Sequence, residues 1–309
     1  MYKFITEDRA EAGAAEPPAV QTYCHALGVS MSGYRKHCRQ QSTVSQREIA
    51  QAMLDLLIRQ IYAHHKGRYG YARITAELKR RGIPIDRKRV LKRMQAMNLH
   101  ARTHRPFKKT TSRDKRHIAS PNLLKQRFYH DRIREYFVTD VTYIDTDEGF
   151  VYLSIVLDLA TREVVGWSIS ETLEQPGIVR AIERMIVGSR PAPGAMLHSD
   201  RGSQYTASIT RELLKAHGII QSMSSTGNCY DNAVAESYFK TIKNEEVYWK
   251  HYRTRDEVRT SIVDYIDYYN NERLHSTIGF ITPSECRELK LRNQQSITNH
   301  PIEATLLKG

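Results

Sequence analysis

Cysteine is scarce in this chain of 309 residues. The four present, Cys24, Cys38, Cys229 and Cys286, lie far apart, with no C-x-x-C pair and no Cys/His array at zinc spacing. This excludes a disulfide framework and a structural zinc site and reads the thiols as reduced. His64 and His65 adjoin each other but have no second pair of ligands at usable spacing. Long apolar runs are missing too: nowhere do 18 apolar residues follow one another, and the opening "MYKFITEDRAEAG" has no apolar core of a signal peptide. The expectation is a cytoplasmic protein with no membrane partner. Also missing are a phosphate-binding G-x-x-x-x-G-K-[ST] loop, an internal repeat, a low-complexity tract and a heptad run.

Basic charge is abundant, and it is unevenly placed. Net charge is +13. Residues 1–130 hold 27 Lys+Arg against 9 Asp+Glu, whereas residues 131–309 hold 20 against 25. A basic first part joined to a mildly acidic second part suggests an N-terminal region that meets a polyanion, with nucleic acid the leading partner.

Hydrophobic periodicity divides the chain further. Residues 1–44 contain "VQTYCHALGVSMSGYRKHC", which predicts a short helix ending at Gly28, a tight turn, and a second helix capped by Ser30: a helix-turn-helix outline. Residues 45–101 read as a helical DNA-binding domain. In its first helix Ile49, Met53, Leu56, Leu57 and Ile61 are expected on the core face. A later helix starts at Asp86, with Val90, Leu91, Met94 and Met97 inward and Lys88, Arg89, Lys92 and Arg93 free to lie against phosphates. Residues 102–130 are basic, aperiodic and read as a linker. From 131 to 295 three β-rich runs, "YFVTDVTYID", "FVYLSIVLDL" and "EVVGWSIS", precede helix and strand in alternation, predicting an α/β mixed sheet flanked by helices. Residues 296–309 form a tail.

Three acids stand out in that layout. Asp140 is mid-way along the first strand, Asp200 lies where the fourth strand ends in "HSDRGSQY", and Glu236 sits in the helix "NAVAESYFKTIKNE". The plain reading of Glu236 is a surface pair with Lys240 at i+4, contributing roughly 0.2–0.5 kcal/mol. A buried acid in a central strand, however, costs several kcal/mol unless something offsets it. Divalent cations of the Mg²⁺ or Mn²⁺ type do so, and they favour carboxylate oxygen. Asp145, Asp147 and Glu148 are read as a solvated hairpin turn, and Asp158 as a reserve ligand. Arg201 has two readings, phosphate contact or local charge balance. Asn270, Arg273 and His275 are explained by helix-end hydrogen bonding at least as well as by catalysis.

"TDVTYIDT", "HSDRGSQY" and "YDNAVAESYFKTIKNE", with 35 residues between Asp200 and Glu236, resemble the DDE catalytic core of retroviral integrases and bacterial transposases. The best match is the OrfB group of IS-three insertion sequences. "CHALGVSMSGY", "GRYGYARITAEL" and "YNNERLHSTIGFITP" resemble its flanking modules, so the likeness spans most of the chain. It implies a ribonuclease H-like fold preceded by all-α helix-turn-helix modules, and two Mg²⁺ or Mn²⁺ ions held by Asp140, Asp200 and Glu236. Water would first free a 3′-OH at an element end, which then attacks a second phosphodiester. Lys240 and Lys243 would hold the DNA end. It further implies a companion OrfA product or OrfAB fusion, a homo-oligomer on DNA, and association with the bacterial nucleoid. "YFVTD" departs from the family in lacking Trp before the first acid. The rival classes are a DNA-binding regulator without catalysis and a metal-dependent nuclease.

Overall fold

The computed structural model describes residues 1–11, 17–42, 45–102, 120–173, 175–225 and 232–299. These form two compact units that divide at His100 and Ala101. Cys229 and the stretch 103–119 of the expected linker lie outside the described residues, as do 300–309 of the expected tail.

The first unit is helical: α1 (Tyr2–Glu11), α2 (Val20–Ala26), α3 (Met31–Ser42), α4 (Gln46–His64), α5 (Tyr71–Arg80) and α6 (Arg87–Ala96). Ile5, Cys24 and Tyr34 make a small core beneath the α2–α3 pair. Gly28 takes the left-handed conformation that ends α2 (φ +63°), and Ser30 Oγ accepts from Gly33 N at 3.1 Å at the start of α3. The α4 helix opens on a reciprocal Ser45/Glu48 capping box. Its buried face is Leu54, Ile58 and Ile61, whereas Ile49, Met53 and Leu56 are exposed. The expected period is correct, but the phase is displaced, because α4 carries apolar residues on more than one face. Asp86 caps α6, its side chain accepting from Lys88 N, and Val90 and Met94 are the buried pair. Arg93 is not free: it grips Asp55 of α4 through Nε–Oδ1 (2.8 Å) and Nη2–Oδ2 (2.6 Å).

The second unit is a five-stranded sheet in the order β3-β2-β1-β4-β5. Its strands are β1 (Tyr136–Ile144), β2 (Val151–Asp158), β3 (Val164–Ser170), β4 (Met196–Ser199) and β5 (Ile220–Met223). β1, β2 and β3 form an antiparallel meander, while β4 runs parallel to β1 and β5 parallel to β4. Between and after the strands come α7 (Gln175–Ser189), α8 (Ser203–Thr206), α9 (Ser208–Ala216), α10 (Ala233–Glu245), α11 (Arg255–Asn271) and α12 (Pro283–Asn299). Alternation along β1 gives each face of the sheet its own core. Phe137 packs with Ile178, Ile182 and Leu197, and Val138 with Ile242, Ile262 and Tyr265. Residues 120–130, expected as linker, instead brace β5: Leu124 is buried, and Ser222 Oγ accepts from Leu123 N and Leu124 N. Leu124 of "PNLL", packed into the core, is the local reason for this attachment, while Leu123 stays exposed.

Candidate active site

Register brings the first two acids together. In the parallel pair, Val138 lies beside His198. Two residues further on, where β4 has ended at Ser199, Asp140 and Asp200 extend the same face. β1 continues past this point because β2 supports it, with Asp140 opposite Ile155. The third acid arrives on α10, which packs against β1. Its N-cap residue, Asn232, is buried and donates from Nδ2 to Thr139 O at 3.2 Å, fixing the helix start one residue from Asp140. Glu236 follows one turn later and is exposed.

The electrostatics record this convergence. Burial, then the neighbouring Asp200 and Glu236 carboxylates, raise the Asp140 carboxyl to about 7, against the pull of its hydrogen bond from Val141 N and of Lys243. Lys243 is half-buried over the Tyr143 ring, 5.1 Å from its centroid. Burial depresses its ammonium, and Asp140 partly restores it. Lys240 is exposed, and no Glu236–Lys240 ion pair occurs among the described residues. Asp200 Oδ1 accepts from Gly202 N at 2.9 Å, and Arg201 Nε donates to Ser224 O at 2.7 Å, tying the ends of β4 and β5.

Three hard carboxylates, one of them destabilised by its like-charged neighbours, fit a cation. So does the buried Oδ1 of Asn232, which has no donor among the described residues. Among the described residues, no three or more His, Cys, Asp or Glu side chains are drawn together closely enough to hold a metal ion as they stand.

Other expected groups lie elsewhere. Asp158 pairs with Phe137, three residues before Asp140, and its carboxylate accepts from the backbone N–H groups of Arg134, Ala160 and Thr161. It is a buried turn acid and not a reserve ligand. Asp147 meets His251, and Glu148 accepts from Arg255 N at the start of α11. Asn270 bonds both backbone groups of Val164, and Arg273 makes a buried bidentate pair with Glu245. Lys88, Arg89 and Lys92 are exposed on α6 of the first unit. The residue that sequence reasoning passed over is Tyr205. Its buried hydroxyl lies 3.3 Å from Thr139 Oγ1, and burial with the fields of Asp140 and Asp200 raises its ionisation well above the usual tyrosine value.

Comparison with known proteins agrees with this layout. The family model "Integrase core domain" matches residues 130–229, a second model of that description matches 217–283, and "HTH-like domain" matches 48–107. Transposase InsF for insertion sequence IS3A of Escherichia coli (strain K12) is 32% identical over 285 residues, covering 92% of this chain and 97% of the relative. The transposase for insertion sequence element IS904 of Lactococcus lactis is 37% identical over 242 residues, covering 78% and 96%. Among solved structures, the catalytic core domain of BIV integrase aligns with a TM-score of 0.41 at 17% identity, over 53% of this chain and 99% of that one. With a DNA-binding helical region before an integrase core, and such identity along nearly its whole length, the chain belongs to the IS3 family of insertion-sequence transposases, polynucleotidyl transferases that act on DNA.

Proposed function

We propose that the chain performs 3′-end cleavage and strand transfer of an insertion-sequence element, with Asp140, Asp200 and Glu236 as the ligands of two Mg²⁺ or Mn²⁺ ions. The observation that supports this reading is the β1/β4 register, whose continuation from Val138 and His198 leads to Asp140 and Asp200, with Glu236 on α10 adding to the field at Asp140. Bound there, the cations supply an activated nucleophile and stabilise the leaving oxygen. The chain's own groups do the rest. Asn232 anchors α10 to β1, Thr139 and Tyr205 fill the floor beneath the acids, and Lys243 offsets their repulsion before DNA arrives. Lys240 and Lys243, on the Glu236 side of α10, take backbone phosphates of the element end, while Arg201 braces the β4–β5 ends and meets phosphate from its exposed side. Lys88, Arg89 and Lys92 supply phosphate contacts in the first unit, and Arg93 serves α4 in place of DNA. A companion OrfA product and assembly of several copies on DNA complete the proposed machinery.

The test is a DNA duplex that mimics a pre-nicked element end with a free 3′-OH, mixed with target DNA and Mg²⁺. Joined product supports strand transfer. Cleavage without joining replaces the reading with a nuclease, and binding without either replaces it with a regulator.

A further inference from the structure

Behind the carboxylate-bearing face of α10 lies a half-open cleft of about 210 Å³ that the chemistry above does not use. One wall is the next face of the same helix, Ala233, Ser237 and Thr241; the others come from Phe128 and Tyr129, from Arg162, and from Tyr269 and His275. Two of the residues that line it each carry a buried polar atom without a partner among the described residues. Arg162, in the β2–β3 turn, is 6% exposed, donates from Nη2 to Phe128 O at 2.9 Å, and has no acceptor for Nη1 among the described residues. Tyr238, 3% exposed, has an unpartnered hydroxyl. A buried donor without an acceptor costs about 1–3 kcal/mol, and more when it is charged. Arg162 is also held in the left-handed backbone region, at φ +66°, which a non-glycine residue seldom adopts. Asp158, a carboxylate that acts on it, already accepts from three backbone N–H groups. At the mouth stands Tyr129, 80% exposed, with the Arg162 guanidinium 5.8 Å from its ring centroid.

We propose that this cleft receives one unpaired nucleobase of the bound DNA, stacked on Tyr129, with its acceptor edge satisfied by Arg162 Nη1 and the Tyr238 hydroxyl. The inference rests on the DNA-joining function proposed above and adds a site for a displaced base. The volume lies below the roughly 300–1,000 Å³ of sites for drug-sized ligands, so one ring system fits better than a whole nucleotide. Two donors among aromatic and aliphatic walls suit a flat heterocycle with ring acceptors. A phosphate would call for several converging donors and no aromatic mouth. The position agrees as well. Ser237 follows Glu236 in sequence, and one residue turns a helix by about 100°, so the cleft opens beside the face at which the strand would react. Extrusion of a base costs least where pairing is already broken, as at a frayed end.

The experiment uses the full chain without divalent metal and a duplex bearing 2-aminopurine at an unpaired end position, compared with the same duplex carrying an abasic residue there. Expected are fluorescence quenching on binding and roughly ten-fold tighter affinity for the base-bearing duplex, in line with the stacking energies of single-stranded readers. Tyr129→Ala, at an exposed position, and Ser237→Trp, which plugs the rim, should abolish both effects while binding of blunt duplex persists. Tyr238→Phe, which deletes one hydroxyl, should weaken the base preference alone. Equal affinity for base and abasic duplexes overturns the cleft assignment and leaves the joining function standing. Displacement of the probe by millimolar inorganic phosphate overturns it in favour of an anion site. Failure of every duplex to bind overturns both readings.

Discussion

Asp140 is held in the chain at an electrostatic cost. Its carboxyl is raised to about 7 from an unfolded value near 3.9, so between these values the folded protein binds more protons than the unfolded one. Stability of the metal-free protein therefore falls as pH rises from about 4 to about 7, by at most about 4 kcal/mol from this group. Asp140→Asn should flatten that slope and raise the metal-free melting temperature at pH 8; thermal melts of both proteins in chelator across pH 4–8 check it, and an unchanged slope counts against the buried-charge account. The same substitution, like Asp200→Asn and Glu236→Gln, is expected to lower strand transfer at least a thousand-fold while duplex affinity stays within a few-fold. Retained joining by any one variant removes that residue from the ligand set. At this scale the sequence was most legible in where it sets the three acids, on β1, just past β4 and on α10, because strand and helix patterns are local; their role as ligands belongs to the proposal above. Tyr205 was not legible: a tyrosine five residues after Asp200 carries no sign that its hydroxyl turns back beneath β1 to Thr139.

At the scale of elements, a buried polar pair adds to the apolar packing that holds α10. Arg273, beyond the end of α11, makes two 2.7 Å bonds to Glu245 in the last turn of α10, and Tyr265 donates to the same carboxylate at 2.9 Å. Burial opposes the charge on the guanidinium, but the Glu245 carboxylate outweighs it and holds the group charged. Removing one member of such a pair strands the other, so Arg273→Ala should cost about 3–5 kcal/mol in chemical denaturation. Replacing both members with apolar residues should cost less. A second seam is Gly166 of β3, where an added Cβ would come 2.2 Å from Ala181 O of α7. Gly166→Ala is expected to force α7 outward and lower the melting temperature by several degrees, with no change in metal affinity if the β1/β4 acids stay in register. Strand and helix positions were readable because β-branched alternation and the 3.6-residue period are local signals. The phase of α4 was not, since Ile49, Met53 and Leu56 satisfy the same period as Leu54, Ile58 and Ile61, and only tertiary packing chooses between them. The attachment of residues 120–130 was hidden likewise, because its hydrogen bonds run to Ser222, about a hundred residues away.

For the whole molecule, the excess of basic charge lies in residues 1–130, and DNA binding should carry its salt signature. Affinity should fall linearly with salt on logarithmic axes, with a slope near −0.9 per neutralised phosphate. Joint replacement of Lys88, Arg89 and Lys92 by Ala should make that slope shallower by two to three without altering the pH response of Asp140. Titrations of duplex binding at several salt concentrations test this, and an unchanged slope would remove α6 from the interface. The pairing of β1 with β4 has one further consequence, for what the chain tolerates over generations. Sixty positions separate Asp140 from Asp200, yet their meeting depends on none of the turns between, only on two strands lying side by side. Insertions in those turns leave the acids facing each other. A single residue added within β1 ahead of Asp140 turns its carboxylate to the opposite face of the sheet, so inheritance of the site is governed by parity within a strand and is indifferent to loop length.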